Sequence, residues 1–382
     1  MSTTNPNPPA DIKTIAGAFA IYGWFLGGES YGTGHINDTY VAGFDQAGAR
    51  VRYIFQRINE RVFKDTAGLM ENVSRVTRHA ARRAIASGGE DASRRALTLV
   101  PTREGLAYHT DAHGAAWRCY LFIEKARTYD LVETPAHARE AARAFGEFQR
   151  LLTDLPGGRL IETIPDFHNT RKRYENLMRA IGTDPRNRAA SVRDEIAFVK
   201  QSENMVDVLA KLQASGGAPE RVTHNDTKFN NVMIDDATRR GICVIDLDTV
   251  MPGLALYDFG DMVRSATPSA VEDEPDVSKV SMRMPVYEGL VTGYLEAAGD
   301  FLTDAERAHL AFSGKLITFE IGMRFLTDYL EGDVYFKIKR PAHNLDRARN
   351  QFAMVRSIDA QQSAMEAVAA RIHAGGKKTP AI

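Results

Sequence analysis

The chain has 382 residues, of which 44% are hydrophobic and 25% charged, with a formal net charge of −1 at pH 7. These values predict an ordinary globular protein, long enough for two lobes. The balanced charge argues against nucleic acid or an anionic membrane as a partner, and no obligate protein partner is evident. The two cysteines, Cys119 and Cys243, lie in apolar runs without a CxxC motif. This usage predicts a reducing compartment and a cytoplasmic location.

The apolar stretch from Thr14 to Gly28 is the only candidate for a targeting or membrane segment. It lacks a basic region before it, and it is too short to span a bilayer. We therefore interpret residues 11–22 as a helix packed on the first lobe. The end of the chain, residues 375–382, is predicted to be a disordered tail.

Strand patterns with tight turns dominate the first 124 residues. Strand-like segments flank Gly32 and Gly34, and a third strand is predicted at Val51–Ile58 after a turn at Gln46–Gly48. A long helix is predicted from Thr66 to Ser87. Three further strands are predicted at residues 97–101, 106–110 and 115–123. The pattern predicts a small, mostly antiparallel sheet with one long helix.

Helical patterns dominate the rest of the chain. The exception is a short strand pair around residues 232–234 and 242–245. The predicted helices cover residues 138–155, 169–181, 193–214, 284–298, 304–329 and 344–373. We predict an α+β, two-lobed protein-kinase-like fold. Its antiparallel-sheet N-terminal lobe covers residues 1–124, a hinge 125–130 and a mainly helical C-terminal lobe 131–374, with the active site expected in the cleft between lobes.

The most informative motif is the run from His224 to Asn231, followed by a strand that ends at Ile245-Asp246. In phosphoryl transfer by kinases, an Asp orients the hydroxyl of the acceptor or accepts its proton. An Asn five residues later binds Mg²⁺, and a second Asp, which follows a strand, binds Mg²⁺ as well. Asp226 is therefore the predicted catalytic residue, and Asn231 and Asp246 the predicted metal ligands. Asp248 is predicted to bind a second ion or to brace the loop. Oxygen ligands of this kind suit a hard divalent cation.

Two side chains near this motif are predicted to brace the catalytic loop and to take no part in proton transfer. They are His224 itself and Asp258, which opens the run Asp258-Phe259-Gly260-Asp261. The alternative for Asp258 and Asp261 is helix N-terminal capping, and both roles can hold together.

The nucleotide is predicted to bind in the N-terminal lobe. Glycines between strands let backbone N–H groups approach phosphate oxygens, so Gly32, Thr33 and Gly34 form the predicted phosphate-covering loop. Kinases place a Lys on the third strand, but the sequence here has none. Arg57 is the predicted substitute, with Gln56 as the alternative if the register shifts by one residue. Three further residues are predicted to bind the nucleotide. Glu71 would orient Arg57, although a surface helix carboxylate is the alternative. The backbone of Glu124 and Ala126 would contact the base.

The acceptor is predicted to contact polar and aromatic residues from both lobes. His35 and Asn37 follow the glycine loop and would face the cleft, although a solvated hairpin edge remains the alternative. Arg324 lies in a strongly apolar helix and is predicted at a buried rim, with Tyr335 in the aromatic stretch that follows. The alternatives are a surface pair of Arg324 with Asp328 and plain packing for the aromatic residues.

Through His224–Asn231 and Ile245-Asp246 the chain resembles the aminoglycoside phosphotransferase and choline kinase superfamily. Within it, five segments are similar to the N-acetylhexosamine 1-kinase subfamily, and the resemblance spans about residues 20–360. The segments are Gly32–Thr39, His224–Lys228, Val244–Pro252, Tyr257–Asp261 and Phe325–Phe336.

The resemblance implies phosphorylation of the anomeric hydroxyl of N-acetylglucosamine or N-acetylgalactosamine, with ATP and Mg²⁺ as cofactors. It implies Asp226 as the base, with Asn231 and Asp246 as metal ligands. It suggests that the sugar contacts His35, Asn37, Arg324 and Tyr335. The missing strand Lys departs from the superfamily pattern.

Three alternatives remain open at this stage. The first is another small-molecule kinase of the same fold, acting on an aminoglycoside, an amino alcohol or a different sugar. A polycationic aminoglycoside needs many carboxylates, and the acidic run at residues 272–276 is interpreted as a solvated loop. The second is a nucleotide-binding pseudokinase, which is disfavoured because Asp226, Asn231 and Asp246 are all present. A protein kinase is disfavoured by the absence of an Ala-Pro-Glu motif after Asp246.

Overall fold

A computed structural model describes residues 11–32, 36–89 and 91–376. The chain forms two compact units. The first comprises Met1–Ala126 and Leu155–Ile164, and the second comprises Arg127–Asp154 and Pro165–Ile382. The sequence pattern did not reveal that residues 155–164 return to the first unit. There the side chain of Asn72 bonds the backbone N–H and C=O of Ile161, at 3.0 and 2.7 Å.

The first unit contains an antiparallel sheet with strand order β1-β2-β3-β6-β4, and β5 pairs with β6. Ala47 and Gly48, which join β2 to β3, both have positive φ, of 55° and 85°. A two-residue turn of this kind matches the twist of a hairpin. The strands are β1 (Trp24–Ser30), β2 (Asp38–Gln46), β3 (Ala49–Arg57), β4 (Leu99–Val100), β5 (His109–Thr110) and β6 (Ala116–Leu121).

One face of this sheet carries a hydrophobic core that includes Phe19, Phe55 and Trp117, all fully buried. Helix α1 (Ile12–Gly17) packs in the same core. The predicted helix over residues 11–22 was too long. The chain leaves the helix after Gly17, and Phe19 instead forms a β-bridge with Thr102. The second helix, α2 (Thr66–Ala86), begins where predicted and is capped by Asp65, which accepts the N–H of Gly68 at 2.9 Å.

The second unit is mainly helical. Its helices are α3 (Pro135–Leu151), α4 (Thr170–Thr183), α5 (Arg193–Gln201), α6 (Val208–Ala214), α7 (Ala255–Ala266), α8 (Met284–Ala298), α9 (Asp304–Ala308), α10 (Leu310–Glu331) and α11 (His343–Gly376). Short strands complete it: β8 (Arg221–Thr223), β9 (Val232–Asp235), β10 (Gly241–Val244) and β11 (Met251–Gly253), after β7 (Ala126–Arg127) at the junction of the two units. Strand β9 pairs with β10, and β8 with β11, both antiparallel.

The helix predicted over residues 193–214 is two helices, α5 and α6. The break between them brings Glu203 and Asp207 to Arg171, with N–O distances of 2.8 and 2.6 Å. The helix predicted over residues 304–329 is also interrupted, at His309. A helix break whose residues pair with a distant side chain does not alter the helical periodicity of the sequence, so the periodicity could not predict the break.

Helix α7, which no periodicity indicated, packs closely on α10. A Cβ atom at Gly260 would lie 2.5 Å from the carbonyl oxygen of Ser313, so only glycine allows this approach. The contact fixes α7 on the longer helix, and α7 carries two carboxylates of the candidate site.

None of the helices within the described ranges combines the length and apolar character that crossing a bilayer requires. Cys119 and Cys243 are free and buried.

Candidate active site

The predicted catalytic loop connects β8 to β9 in the second unit. Asn225 takes a positive φ of 64°, a conformation that Asn tolerates better than most residues, and the chain turns sharply there. The side chain of Asp226 follows this turn and is 25% exposed. A short 3₁₀ segment, Phe229–Asn231, then leads into β9. The loop therefore presents Asp226 to solvent while both of its ends are held by strands.

Asp258 holds the first part of this loop from α7. Its fully buried carboxylate accepts the backbone N–H groups of His224 and Asn225, at 2.9 and 2.7 Å. Nε2 of Gln149 donates to it at 2.6 Å. Burial raises the pKa of Asp258, against these hydrogen bonds, which lower it. The contacts fix the backbone immediately before Asp226.

Asp261, one turn further along α7, holds the next part of the loop. It accepts the backbone N–H of Thr227 at 2.8 Å and pairs with the buried Arg264, also at 2.8 Å. Burial raises the pKa of Asp261, but the charges of Arg264 and Lys228 outweigh it and lower the value below 3.8. Together Asp258 and Asp261 hold the residues on both sides of Asp226.

His224 has no exposed surface, and both of its ring nitrogens have partners. The backbone N–H of Asp226 donates to Nδ1 at 3.3 Å, so Nε2 carries the hydrogen that contacts the carbonyl oxygen of Ile245 at 2.9 Å. The ring packs edge-on against Phe145 and Phe148. These contacts leave His224 no free nitrogen for proton transfer.

Both carboxylate oxygens of Asp226 have partners within its own loop. Nζ of Lys228 lies 2.7 Å from Oδ1, and Nδ2 of Asn231 donates to Oδ2 at 3.3 Å and to the backbone oxygen of Asp226 at 2.8 Å. No role was predicted for Lys228. The feature of the sequence that could have indicated a role is its position, a cation two residues after the predicted base. Partial burial lowers the pKa of Lys228, but the Asp226 carboxylate raises it above its ordinary value, so the ammonium stays charged.

The predicted metal ligands are oxygen donors on adjacent segments. The N–H of Ile245 donates to the backbone oxygen of Asn231 at 2.9 Å, which brings Asn231 next to the end of β10. Because its Nδ2 donates to Asp226, Oδ1 of Asn231 is oriented as an acceptor. Asp246 has a φ of 60° and is exposed, whereas Asp248 is buried.

No group of three or more His, Cys, Asp or Glu side chains within residues 11–32, 36–89 and 91–376 is arranged to hold a metal ion. Mg²⁺ commonly uses only one or two protein carboxylates together with substrate phosphates and water. An Asn oxygen and an exposed carboxylate fit that kind of site. They do not fit a metal enclosed by protein ligands alone.

The structure brings Arg324 and Tyr335 together. The guanidinium lies over the rings of Phe167, Tyr335 and Phe336, with distances to the ring centroids of 6.0, 5.7 and 5.5 Å. Its Nη2 is 3.5 Å from the hydroxyl of Tyr335, which is 69% exposed. We refer to these four residues as the aromatic–arginine cluster.

Asp328 holds the segment that carries Tyr335, a role the sequence analysis missed. The pairing of Arg324 with Asp328 on a helix surface was the alternative interpretation, but Asp328 is only 3% exposed. Its carboxylate accepts the backbone N–H groups of Val334, Tyr335 and Phe336 at 2.8 to 2.9 Å. The feature of the sequence that could have indicated this role is a carboxylate in an otherwise apolar helix.

The acidic run at residues 272–276 is an exposed to half-buried loop, as expected, and its carboxylates also pair with cations of the same unit. Glu272 contacts Arg264 at 3.0 Å. Asp273 contacts Nε2 of His343 at 2.9 Å and Arg340 at 3.5 Å. Lys279 lies 3.3 Å from Glu274.

The predicted nucleotide-binding residues lie in the first unit. Gly32 has a positive φ of 77°, while Thr33, Gly34 and His35 lie outside the described residues. Arg57 forms its ion pair with Asp38 at 2.5 Å and not with the predicted partner Glu71, which is exposed on α2.

The alternative residue Gln56 points to the opposite face of β3. Its Nε2 donates to Thr39 at 3.1 Å, and its Oε1 accepts from the buried Arg118 at 2.9 Å. Arg118 is therefore a further cation on a central strand, and the sequence analysis did not identify it.

Of the remaining predicted residues in the first unit, Asn37 uses its Oδ1 to accept the backbone N–H of Asn59 at 3.0 Å. Glu124 pairs with Arg52 at 2.5 Å, which lowers the pKa of the Glu124 carboxyl. Ala126 lies in β7. The roles of these residues in binding nucleotide or acceptor stay predictions.

A sequence model of the phosphotransferase enzyme family matches residues 28–308, more than half of the chain. Among solved structures, an aminoglycoside phosphotransferase from Alicyclobacillus acidocaldarius has a TM-score of 0.59 at 13% identity, covering 99% of each chain. A choline kinase from Cryptosporidium parvum has a TM-score of 0.52 at 13% identity, covering 89% of this chain and 91% of that one. A spectinomycin phosphotransferase in complex with ADP and spectinomycin has a TM-score of 0.50 at 13% identity, covering 92% and 97%. These likenesses confirm the predicted kinase-like fold.

Proposed function

We propose, on the premise that the chain belongs to the phosphotransferase enzyme family and is a small-molecule phosphotransferase, that it phosphorylates the anomeric hydroxyl of an N-acetylhexosamine with ATP and Mg²⁺. The aromatic–arginine cluster is the observation that carries the choice of a sugar. Arg324 presents hydrogen-bond donors among three aromatic rings. Rings that pack on a sugar face, next to donors for its hydroxyls, suit a neutral polar acceptor.

The charge of Arg324 supports an uncharged acceptor over a cationic one. A choline or aminoglycoside cation packed on the aromatic–arginine cluster would meet this like charge among the rings, whereas an N-acetylhexosamine carries none.

The acidic run does not offer an alternative pocket for a polycation. Its carboxylates already pair with Arg264, Arg340, His343 and Lys279. An aminoglycoside would have to displace these groups, so the aminoglycoside alternative has less support than a sugar.

Asp226 is the group that would act on the acceptor. Lys228 and Asn231 fix its two oxygens, and Asp258 and Asp261 fix the backbone around it. The carboxylate is therefore preorganised to orient the acceptor hydroxyl and to take its proton as the new oxygen–phosphorus bond forms. ATP, when bound with Mg²⁺, would supply the γ-phosphoryl group, and ADP would leave as its bond to that group breaks. Oδ1 of Asn231 and the carboxylate of Asp246 would hold the ion, and Lys228 would contribute a positive charge next to Asp226.

The test is Mg²⁺-dependent ATP consumption with a panel of acceptors: N-acetylglucosamine, N-acetylgalactosamine, glucose, galactose, kanamycin and choline. Phosphorus NMR identifies each product. We expect turnover of at least one N-acetylhexosamine, with an anomeric sugar phosphate as product. Turnover of kanamycin or choline, with none of the sugars consumed, would overturn the acceptor assignment and leave the family membership intact.

A further inference from the structure

A buried polar cluster beside the aromatic–arginine cluster is not used by the reaction described above. Glu320, on α10, is fully buried, and its Oε1 lies 2.9 Å from Nδ1 of His168. Thr170 donates its hydroxyl to Oε2 at 2.5 Å. The side chain of His168 is 5% exposed. Three polar side chains have therefore been removed from solvent at this point of the second unit.

The ionisation of Glu320 determines which nitrogen of His168 carries hydrogen. Burial raises the pKa of Glu320, but the hydrogen bonds from His168 and Thr170 and the charge of Arg324 hold it below its usual range. The ionised carboxylate accepts, so Nδ1 of His168 donates to it. In the neutral ring Nε2 is then an acceptor. It is buried and has no hydrogen-bond partner among the residues that the structure describes.

A second buried polar atom lacks a partner nearby. Arg173, in the second turn of α4, donates its Nη2 to the backbone oxygen of Phe167 at 3.0 Å. Its Nε, a donor, is buried and finds no acceptor within the described part of the chain. Burial and the charge of Arg324 lower the pKa of Arg173, and the charge of Glu320 opposes them. An unpartnered acceptor and an unpartnered donor thus accompany the same carboxylate, an arrangement that folded proteins rarely leave unsatisfied.

The position of His168 connects the cluster to the candidate site. Its ring packs against Phe167, with centroids 4.9 Å apart, and against Tyr257 at 5.1 Å. Phe167 belongs to the aromatic–arginine cluster, and Tyr257 directly precedes the loop-holding Asp258. The ring of His168 therefore packs between a ring of the aromatic–arginine cluster and the residue before Asp258, while Arg173 bonds the backbone of Phe167.

We propose that His168 and Arg173 bind the acetamido group of the acceptor sugar: its N–H donates to Nε2 of His168, and its carbonyl oxygen accepts from Nε of Arg173. This inference rests on the proposed function. An amide offers one donor and one acceptor on separate atoms, which matches an unpartnered acceptor and an unpartnered donor on two side chains. A free amine at the same carbon would place a cation beside Arg173 and Arg324. The pair therefore selects acetylated over unacetylated hexoses.

Two variants test the proposal, each removing one unpartnered atom and keeping the other contacts. In His168→Asn, the amide nitrogen lies near the position of Nδ1 and can still donate to Glu320, while Nε2 is lost. In Arg173→Lys, the charge and a donor for the Phe167 oxygen are kept, while Nε is lost. Arg179→Lys is the matched control, since Arg179 is an exposed residue of the same helix.

For each variant, kcat and KM are measured with N-acetylglucosamine and with glucose at saturating ATP. We expect kcat/KM for N-acetylglucosamine to fall by about tenfold or more, mainly through KM, because a lost contact to a bound hydrogen-bonding group costs that much. We expect the values for glucose, the KM for ATP and the control variant to stay within about twofold of the wild type.

Three outcomes separate the inference from the function it rests on. If the wild-type enzyme phosphorylates no N-acetylhexosamine, the proposed function fails, and this inference fails with it. If the wild type does so but both variants keep its preference for N-acetylglucosamine over glucose, the inference alone is wrong. Should His168→Asn not fold, Arg173→Lys gives the same decision, because its side chain is less buried.

Discussion

The backbone N–H of Tyr335 donates to Oδ1 of Asp328 at 2.8 Å. The same buried carboxylate accepts two neighbouring N–H groups and Nδ2 of Asn344. Asp328→Ala leaves these donors unpaired, so we expect a loss of about 2–4 kcal/mol in unfolding free energy. Because the segment carrying Tyr335 loosens, KM for the acceptor should rise more than kcat falls. Urea unfolding and steady-state kinetics measure both effects. Wild-type stability in Asp328→Ala would contradict this account, and Asp300→Ala, at an exposed site, is the control.

Asp226 is expected to be essential for turnover but not for nucleotide binding. Asp226→Asn keeps the size of the side chain and removes the proton acceptor. We expect activity to fall by about 10³-fold or more, within the range of general-base and positioning effects. Affinity for ATP, measured by calorimetry with Mg²⁺ present, should change less than about threefold. Near-wild-type turnover would remove Asp226 from its role, and Asp194→Asn, at an exposed position of α5, controls for the loss of one carboxylate.

Lys228 is expected to contribute through its charge. It lies 2.7 Å from Asp226, and its raised pKa keeps it protonated across the neutral range. Lys228→Met should lower kcat by about 10²-fold, a magnitude typical of removing one electrostatic stabiliser. Lys228→Arg should recover part of the loss, because it restores the charge. The idea does not survive if Met and Arg variants have equal rates. Lys200→Met, on the exposed face of α5, gives the baseline.

The pH dependence of stability should reveal the pairing of Asp261. Its folded-state pKa is below the ordinary value of 3.8, so the folded protein favours the ionised form. The stability it contributes is complete above the unfolded pKa and is lost as the pH falls through the lower, folded pKa. The difference in unfolding free energy between wild type and Asp261→Asn should therefore be constant above about pH 5 and shrink below it. Urea titrations between pH 3 and 7 measure it. A difference that grows towards acid pH would reverse the assigned sign.

Local signals were sufficient for much of the fold. The predicted bounds of α8 agree with the structure at both ends, since an apolar stripe and a terminal Gly299 determine them. The β2–β3 hairpin was visible from Ala47-Gly48. The division of residues 193–214 into two helices was not. Glu203 and Asp207, at and beside the break, pair with Arg171, and no local pattern records such a distant partner.

The same distinction applies to the candidate site. The spacing of Asp226, Asn231 and Asp246 within two short segments was sufficient to single them out. The acidic run is the solvated loop that was expected, but its ion pairs were not predicted, because the cations come from residues far along the chain, such as Arg340 and His343. Likewise, Asp328 received a surface role from helical spacing alone, whereas its partners lie in the segment beyond the helix end. Sequence thus indicated the chemistry more readily than the side chains that hold it in position.

The cations that pair with the acidic run compete with any ligand for its carboxylates. The cations that pair with Glu272, Asp273 and Glu274 belong to the same polypeptide. Their effective concentration at these carboxylates is therefore far above that of any antibiotic in solution. Replacing one of these cations would free only one carboxylate at a time. Replacing Arg264 or Arg340 would also remove the ion-pair partner of Asp261 or Asp346. A polycationic ligand could therefore occupy the whole run only after several substitutions, some of which would disturb contacts elsewhere in the second unit.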